Sequence, residues 1–167
     1  MSNEPTSAAE ARARVTELVR AARICMLTTI AVDGRQVSRP MGLQEIEFDG
    51  DLWFFAHADS AKIRQIRVNP EVNVAFSDQK RNAWVSVSGT ATEGFDRARA
   101  ERLWNPLLTT WFPDGLDTPG LTLIKLHASS AEYWDSPSSA MVNLLGFARA
   151  AVTGRPPEAG ENHEVSY

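Results

Sequence analysis

Two Asp-Gly pairs, at positions 33–34 and 49–50, restrict most strongly how this chain can fold. Asp-Gly is typical of tight β-hairpin turns, in which glycine supplies the positive φ that the turn requires. The segments beside these pairs, residues 23–31, 37–48 and 52–56, have the composition of strands. Three strands joined by two tight turns predict an antiparallel meander and argue against a doubly wound parallel sheet.

Beyond the meander, the sequence alternates further strands with short helices. Period-2 apolar patterns predict three more strands, and apolar residues at helical spacing predict four helices. The strands are expected at residues 71–77, 83–93 and 121–134, and the helices at residues 8–22, 60–68, 95–108 and 138–152. This order predicts a mainly β fold with flanking helices, a six-stranded antiparallel Greek-key barrel.

The length of 167 residues allows one domain with a core of its own. Residues 1–7 and 155–167 are mostly polar, so we expect them to be disordered tails around a domain of residues 8–154. A net charge of −4 and a pI near 5.4 argue against a non-specific nucleic-acid binder. The sequence shows neither a signal peptide nor an apolar run long enough for a membrane helix, and we expect a cytoplasmic protein.

The chain offers few residues for metal or thiol chemistry. Cys25 is its single cysteine and lies in an apolar run, which predicts a buried and unreactive thiol. The histidines, His57, His127 and His163, are scattered along the sequence, so no metal site is expected.

The start of the helix predicted at residues 60–68 is a candidate anion site. Ser60 and Lys62 lie in its first turn, where free backbone N–H groups and the helix dipole favour a negative charge. Arg39 lies on a neighbouring predicted strand and could grip the same anion with its guanidinium. The alternative is a capped surface helix with a solvated lysine.

Several motifs occur in an order that resembles a known family. Ser-Arg-Pro-Met at residues 38–41 precedes Asp-Ser-Ala-Lys at 59–62, Asn-Pro at 69–70 and Trp-Val-Ser-Val-Ser-Gly at 84–89. From about residue 17 to residue 154 the chain is similar to the pyridoxamine 5'-phosphate oxidase-like FMN-binding split barrels, and most to their general stress protein branch. The resemblance implies a homodimer with two FMN sites at the subunit interface.

The resemblance also implies which residues hold the cofactor. The FMN phosphate would contact Arg39, Ser60 and Lys62, although Ala61 stands where the oxidases carry a second basic residue. The flavin ring would lie against the backbone of two strands, and two tryptophans would lie near it. These ring candidates are Met41, Gly42, Phe55, Ala56, His57, Trp84 and Trp134.

Three of these side chains have alternative interpretations. His57 could donate to a flavin oxygen or face solvent at a strand end. Trp84 occupies a position that is usually glutamine in the oxidases, and it could instead be a core residue. Trp134, in the sequence Glu-Tyr-Trp-Asp, could cap the flavin pocket or pack under the C-terminal helix.

The expected function is a flavin-dependent oxidoreductase of unknown substrate, related to the stress response, that uses a small-molecule redox partner. The alternatives are a non-catalytic flavin-binding stress or sensor protein, or a split barrel that uses haem or deazaflavin. Oxidation of pyridoxamine phosphate is not expected, because residues 136–167 lack the arginine- and histidine-bearing tail of that enzyme.

Overall fold

Seven strands and three α-helices make up the residues that this computed structural model describes, namely 8–44, 49–135 and 161–166. Two short 3-10 helices, Pro106–Thr110 and Gly115–Asp117, follow the third α-helix. The α-helices are α1 (Ala8–Ala21), α2 (Ala61–Val68) and α3 (Arg97–Leu103). The strands are β1 (Ile24–Ile30), β2 (Gln36–Gly42), β3 (Asp51–His57), β4 (Glu71–Asp78), β5 (Ala83–Gly94), β6 (Leu121–Asp135) and β7 (Glu161–Ser166).

All strands pair antiparallel in one sheet, in the order β2-β1-β4-β5-β6-β3, and β7 pairs with β6. Strands β4, β5 and β6 are consecutive neighbours, and β3 returns beside β6, which is the Greek-key arrangement. The two end strands of this order, β2 and β3, approach each other without pairing. The predicted antiparallel split barrel is therefore confirmed, with seven strands where the sequence indicated six.

The predicted three-strand meander is wrong at its second turn. The hairpin of β1 and β2 forms as expected, with Gly34 at φ 83°. However, β3 pairs along its whole length with β6, and the Gly50 carbonyl accepts from the Ala128 amide. The Asp49-Gly50 pair therefore leads into a strand that does not fold back on β2. Strand β3 pairs with the distant β6 instead, because Leu52, Phe54 and Ala56 bury their side chains in the core beside β6.

The main core lies on one face of the sheet, between the strands and helices α1 and α2. Helix α1 contributes Val15, Leu18 and Val19 to this core, and α2 contributes Ile63 and Ile66. A second cluster packs α3 and the first 3-10 helix against the opposite face of β3 and β6. Its buried members are Phe55, Ala100, Leu103, Leu108, Phe112, Leu121 and Leu123.

Two further predictions need correction. The helix predicted over residues 95–108 ends at Leu103, because Pro106 follows and the Asn105 side chain caps a separate 3-10 helix. The tail predicted to be disordered includes β7, which forms because Val165 is buried in the core and the strand pairs with β6. The helix predicted over residues 138–152 lies outside the described residues.

Candidate functional site

Arg39 lies on β2, directly opposite the buried Leu27 of β1, and its guanidinium is on the core side of the sheet. Its Nη1 donates to the Leu27 carbonyl at 3.2 Å and to the Thr29 Oγ1 at 2.7 Å. Its Nη2 donates to the Gln65 Oε1 of α2 at 3.1 Å. These bonds hold the end strand β2 against the middle of α2.

Lys62 and Gln65 are three residues apart on α2, so they share one face of the helix. The contact with Gln65 therefore brings the Arg39 guanidinium beside Lys62. Burial lowers the pKa of Lys62, and the positive charge of Arg39 lowers it further. Burial also lowers the pKa of Arg39. Two partly desolvated cations next to each other form a site that an anion would stabilise.

Ser60 is the residue at the N-cap of α2, yet its side chain makes no capping hydrogen bond. Its Oγ is buried and has no hydrogen-bond partner within the described part of the chain. A buried hydroxyl without a partner costs about 1–3 kcal/mol, which argues that an additional group satisfies it. In the first turn of α2 the Ile63 amide donates to the Ser60 carbonyl at 3.1 Å, whereas the amides of Ala61 and Lys62 have no acceptor within the helix.

The far end of α2 is fixed as well. Arg67 forms an ion pair with Glu93 of β5 at 3.0 Å, and Glu93 also accepts from the Thr122 hydroxyl at 3.0 Å. Helix α2 is therefore tied to β2 and β1 at one position and to β5 and β6 at another.

The ring candidates on β2 are divided between the two faces of the sheet. Met41 is buried in the core, and its carbonyl accepts from the Cys25 thiol at 3.6 Å. Gly42 lies opposite Ile24, whose side chain is 65% exposed, so Gly42 faces outward. A Cβ added at Gly42 would meet no atom within 4 Å, which leaves open space for a planar ligand.

The ring candidates on β3 follow the same alternation. Ala56 points into the core, whereas Phe55 and His57 point to the opposite face. Phe55 packs edge-on against Trp104 at 5.4 Å, and the His57 ring lies 4.8 Å from Phe112. His57 is half-buried there, which differs from the solvent-facing histidine considered in the sequence analysis.

Strands β2 and β3 border a slot, because the outer edge of each is unpaired within the described residues. Unpaired strand edges present free N–H and C=O groups, which suit a flat heterocycle with hydrogen-bonding atoms along its rim. Arg39, with the anion site, lies on the core side of these two strands, whereas Gly42 and His57 face the outer side.

Trp84 and Trp134 lie directly opposite each other on β5 and β6. Trp84 is 41% exposed, and Trp134 is partly buried, so the alternative of a core tryptophan at position 84 is wrong. Their neighbours in sequence, Val85 and Tyr133, point into the core, which places both indoles on the outer face of the sheet. No contact joins either indole to Arg39 or Lys62 among the contacts of the described residues.

Sequence reasoning missed Thr29 and Gln65, the two side chains that hold Arg39. A signal for Thr29 was present, because Cys25, Leu27 and Thr29 alternate on the core side of β1 and Thr29 is the polar residue in that series. Gln65 could have been found from its spacing of three residues from Lys62.

The described helices include none that is both long and apolar enough to cross a membrane. Cys25 is buried, as predicted, and burial raises the pKa of its thiol to about 12. In the same described ranges, no group of three His, Cys, Asp or Glu side chains could hold a metal ion.

Comparison with known proteins adds a family and several relatives. A family described as pyridoxamine 5'-phosphate oxidase like matches residues 10–158. The protein bli-3 of Neurospora crassa is 29% identical over 150 residues, which cover 84% of this chain and 72% of bli-3.

Solved structures of similar fold include general stress proteins. The general stress FMN/FAD binding protein of Xanthomonas citri is 34% identical, with a TM-score of 0.66 over 75% of this chain and 89% of that one. General Stress Protein 26 of Bacillus anthracis is 24% identical, with a TM-score of 0.66 over 74% of this chain and 92% of that one. The latter similarity concerns the fold alone.

Proposed function

Because the chain belongs to the pyridoxamine 5'-phosphate oxidase-like family of FMN-binding split barrels, we propose that it is an FMN-dependent oxidoreductase. The observation that carries the proposal is the buried Ser60 Oγ without a partner, at a helix start beside two cations. The similar protein from Xanthomonas citri is described as binding FMN or FAD. For this chain, the residues at the helix start favour FMN.

The helix start fits a phosphate monoester. Such a group carries about two negative charges at pH 7, which match the charges of Arg39 and Lys62. Its three terminal oxygens can accept from the Ser60 hydroxyl, the lysine, the guanidinium and the first-turn amides. In the pyrophosphate of FAD, each phosphate bears about one charge and has two non-bridging oxygens, so it would use this donor set less completely.

The flavin ring would extend from the phosphate into the slot between β2 and β3. The free edges of both strands would bond its rim, and the open space at Gly42 would admit the ring plane. When bound, FMN supplies transfer of one or two electrons to a small-molecule redox partner. The chain's part is to orient the ring, exclude water from one face and hold the phosphate.

We also propose that the protein acts as a homodimer with the flavin at the interface. Ile24, Met26 and Trp84 are exposed by 65%, 42% and 41%, and all three lie on the outer face of the sheet. A second copy on this face would cover these apolar side chains. It would also bring the Trp84 and Trp134 side chains of the second copy toward the slot. Within one chain, neither indole contacts Arg39 or Lys62 among the described residues.

The test is a titration of flavin-free protein with FMN, FAD and riboflavin, followed by quenching of flavin fluorescence. We expect FMN to bind more tightly than riboflavin, which lacks the phosphate. Lys62→Ala should weaken FMN binding about 10- to 100-fold, the effect of losing a hydrogen bond to a charged group. Lys80→Ala, in the exposed turn before β5, is the matched control and should change nothing.

Equal affinity for FMN and riboflavin would overturn the phosphate site. Turnover requires a separate test, in which NADH or NADPH is added to the loaded protein and the flavin absorbance is followed. Bleaching with reoxidation by a small acceptor supports an oxidoreductase. Tight binding without bleaching by either donor would favour the non-catalytic stress or sensor role.

A further inference from the structure

The Arg39 guanidinium is held by an arrangement in which Gln65 and Thr29 are the central residues. The Gln65 Oε1 accepts from the Thr29 Oγ1 at 2.6 Å and from the Arg39 Nη2 at 3.1 Å. The Thr29 hydroxyl, which is fully buried, in turn accepts from the Arg39 Nη1 at 2.7 Å. The three side chains come from β1, β2 and α2, and they form a closed triangle of hydrogen bonds.

This triangle determines which donors of Arg39 remain for a ligand. A guanidinium has five N–H donors in one plane. The Leu27 carbonyl, Thr29 and Gln65 take three of them, two from Nη1 and one from Nη2. Within the described residues, the Nε–H and the second Nη2–H are left, and these two lie side by side on one edge of the plane. Such an edge can bind two oxygens of one phosphate.

We propose that Gln65, together with Thr29, is a positioning residue of the phosphate site, which turns the free edge of Arg39 toward the start of α2. This inference rests on the proposed FMN site. It adds that selectivity for the phosphorylated flavin depends on two residues that need not touch the phosphate.

The neutral amide of Gln65 fits this role better than a carboxylate would. It accepts from Arg39 and Thr29 without adding negative charge beside Lys62. The site therefore keeps the two positive charges that a phosphate dianion needs. An acidic residue at position 65 would hold Arg39 equally well and would repel the ligand at the same time.

The experiment measures FMN and riboflavin affinities for variants of each member of the triangle. Gln65→Leu and Thr29→Val should weaken FMN binding by about tenfold or more and leave riboflavin binding unchanged. Thr29→Ser keeps the hydroxyl and should retain the affinity for FMN. Ile66→Val, a mild change in the packing of the same helix, is the control for loss of stability and should not alter the ratio of the two affinities.

A double-mutant cycle distinguishes positioning from a general loss of structure. If Gln65 acts through Arg39, Gln65→Leu should have little further effect on FMN binding in an Arg39→Ala background. An undiminished effect in that background, or an unchanged affinity ratio in Gln65→Leu and Thr29→Val, would overturn the inference while the FMN site stands. If the wild type itself fails to prefer FMN over riboflavin, the proposed function fails first and the inference fails with it.

Discussion

Lys62 and Arg39 lie side by side on α2 and β2, and the positive charge of Arg39 adds to the effect of burial in lowering the pKa of Lys62. Because of this relationship, we expect two quantities to change with pH in opposite directions, namely the stability of the flavin-free protein and its affinity for FMN. In the flavin-free protein, the unfolded chain binds more protons than the folded one between the lowered pKa and the ordinary lysine value. Stability should therefore rise with pH across that window.

FMN affinity should change in the opposite direction, because a bound phosphate stabilises the charged lysine. We expect FMN binding to weaken as pH rises through the lowered pKa of Lys62, and riboflavin binding to stay constant. Titrations from neutral to alkaline pH measure both. Lys62→Arg keeps its charge and should remove this alkaline loss; a loss that persists in Lys62→Arg would assign it to another group.

Gly89 should be the glycine of β5 that is least tolerant of substitution. A Cβ at this position would lie 2.0 Å from the His127 carbonyl oxygen, at the irregularity where β5 pairs with β6. Gly89→Ala should lower the free energy of unfolding by about 3 kcal/mol. Denaturant unfolding measures the change, and Gly94→Ala in open space on the same strand is the control. Equal stabilities of the two variants would contradict the close approach of the strands.

Gly42→Val should distinguish binding at the ring site from binding at the phosphate site. The side chain would enter open space, so the melting temperature should stay within a few degrees of the wild type. It would obstruct the proposed ring position, and we expect FMN and riboflavin to be weakened by the same factor. Fluorescence titrations of both flavins measure these affinities, and Gly94→Val, at another glycine with open space around it, is the control. Selective loss of FMN alone would place the obstruction at the phosphate instead.

Met26→Glu should dissociate the proposed dimer into monomers. Met26 is 42% exposed on the outer face, and a carboxylate there would be buried without a partner in the interface. Light scattering should then give the monomer mass, with loss of flavin binding and an unchanged circular dichroism spectrum. Val32→Glu, on an exposed residue of the first hairpin turn, should leave the dimer intact. A dimer that survives Met26→Glu would assign the interface to another surface.

The Cys25 thiol should be unreactive in the folded protein. Burial raises its pKa to about 12, so almost no thiolate exists at pH 8. A disulfide-exchange reagent should label it only after denaturant unfolds the chain, at a rate that follows unfolding. Rapid labelling in native buffer would show that the region between β1 and β2 opens locally.

The sequence allowed the first six strands and helices α1 and α2 to be predicted, because each depends on local pattern. Arg39, Ser60 and Lys62 remain predicted phosphate contacts, chosen from residue chemistry and from the family resemblance. Turn chemistry did not reveal that β3 pairs with β6, since that choice depends on burial of Leu52 and Phe54 in a core built from distant segments. For the same reason, β7 was missed, because six mostly polar residues form a strand only where β6 offers an edge and the core accepts Val165. Thr29 and Gln65 were missed because their role depends on contacts among three separate elements.

The unpaired arrangement of β2 and β3 has a consequence for how the chain reaches its native state. A hairpin between these consecutive strands is the pairing that short-range contacts favour, and such hairpins form within about 1–10 μs. Pairing of β3 with β6 must close a much longer loop and is therefore slower. The slot therefore requires β3 to pair with the distant β6 and not with its neighbour in sequence, β2. Mutations that strengthen a local turn at Asp49 and Gly50 would favour the competing hairpin during folding.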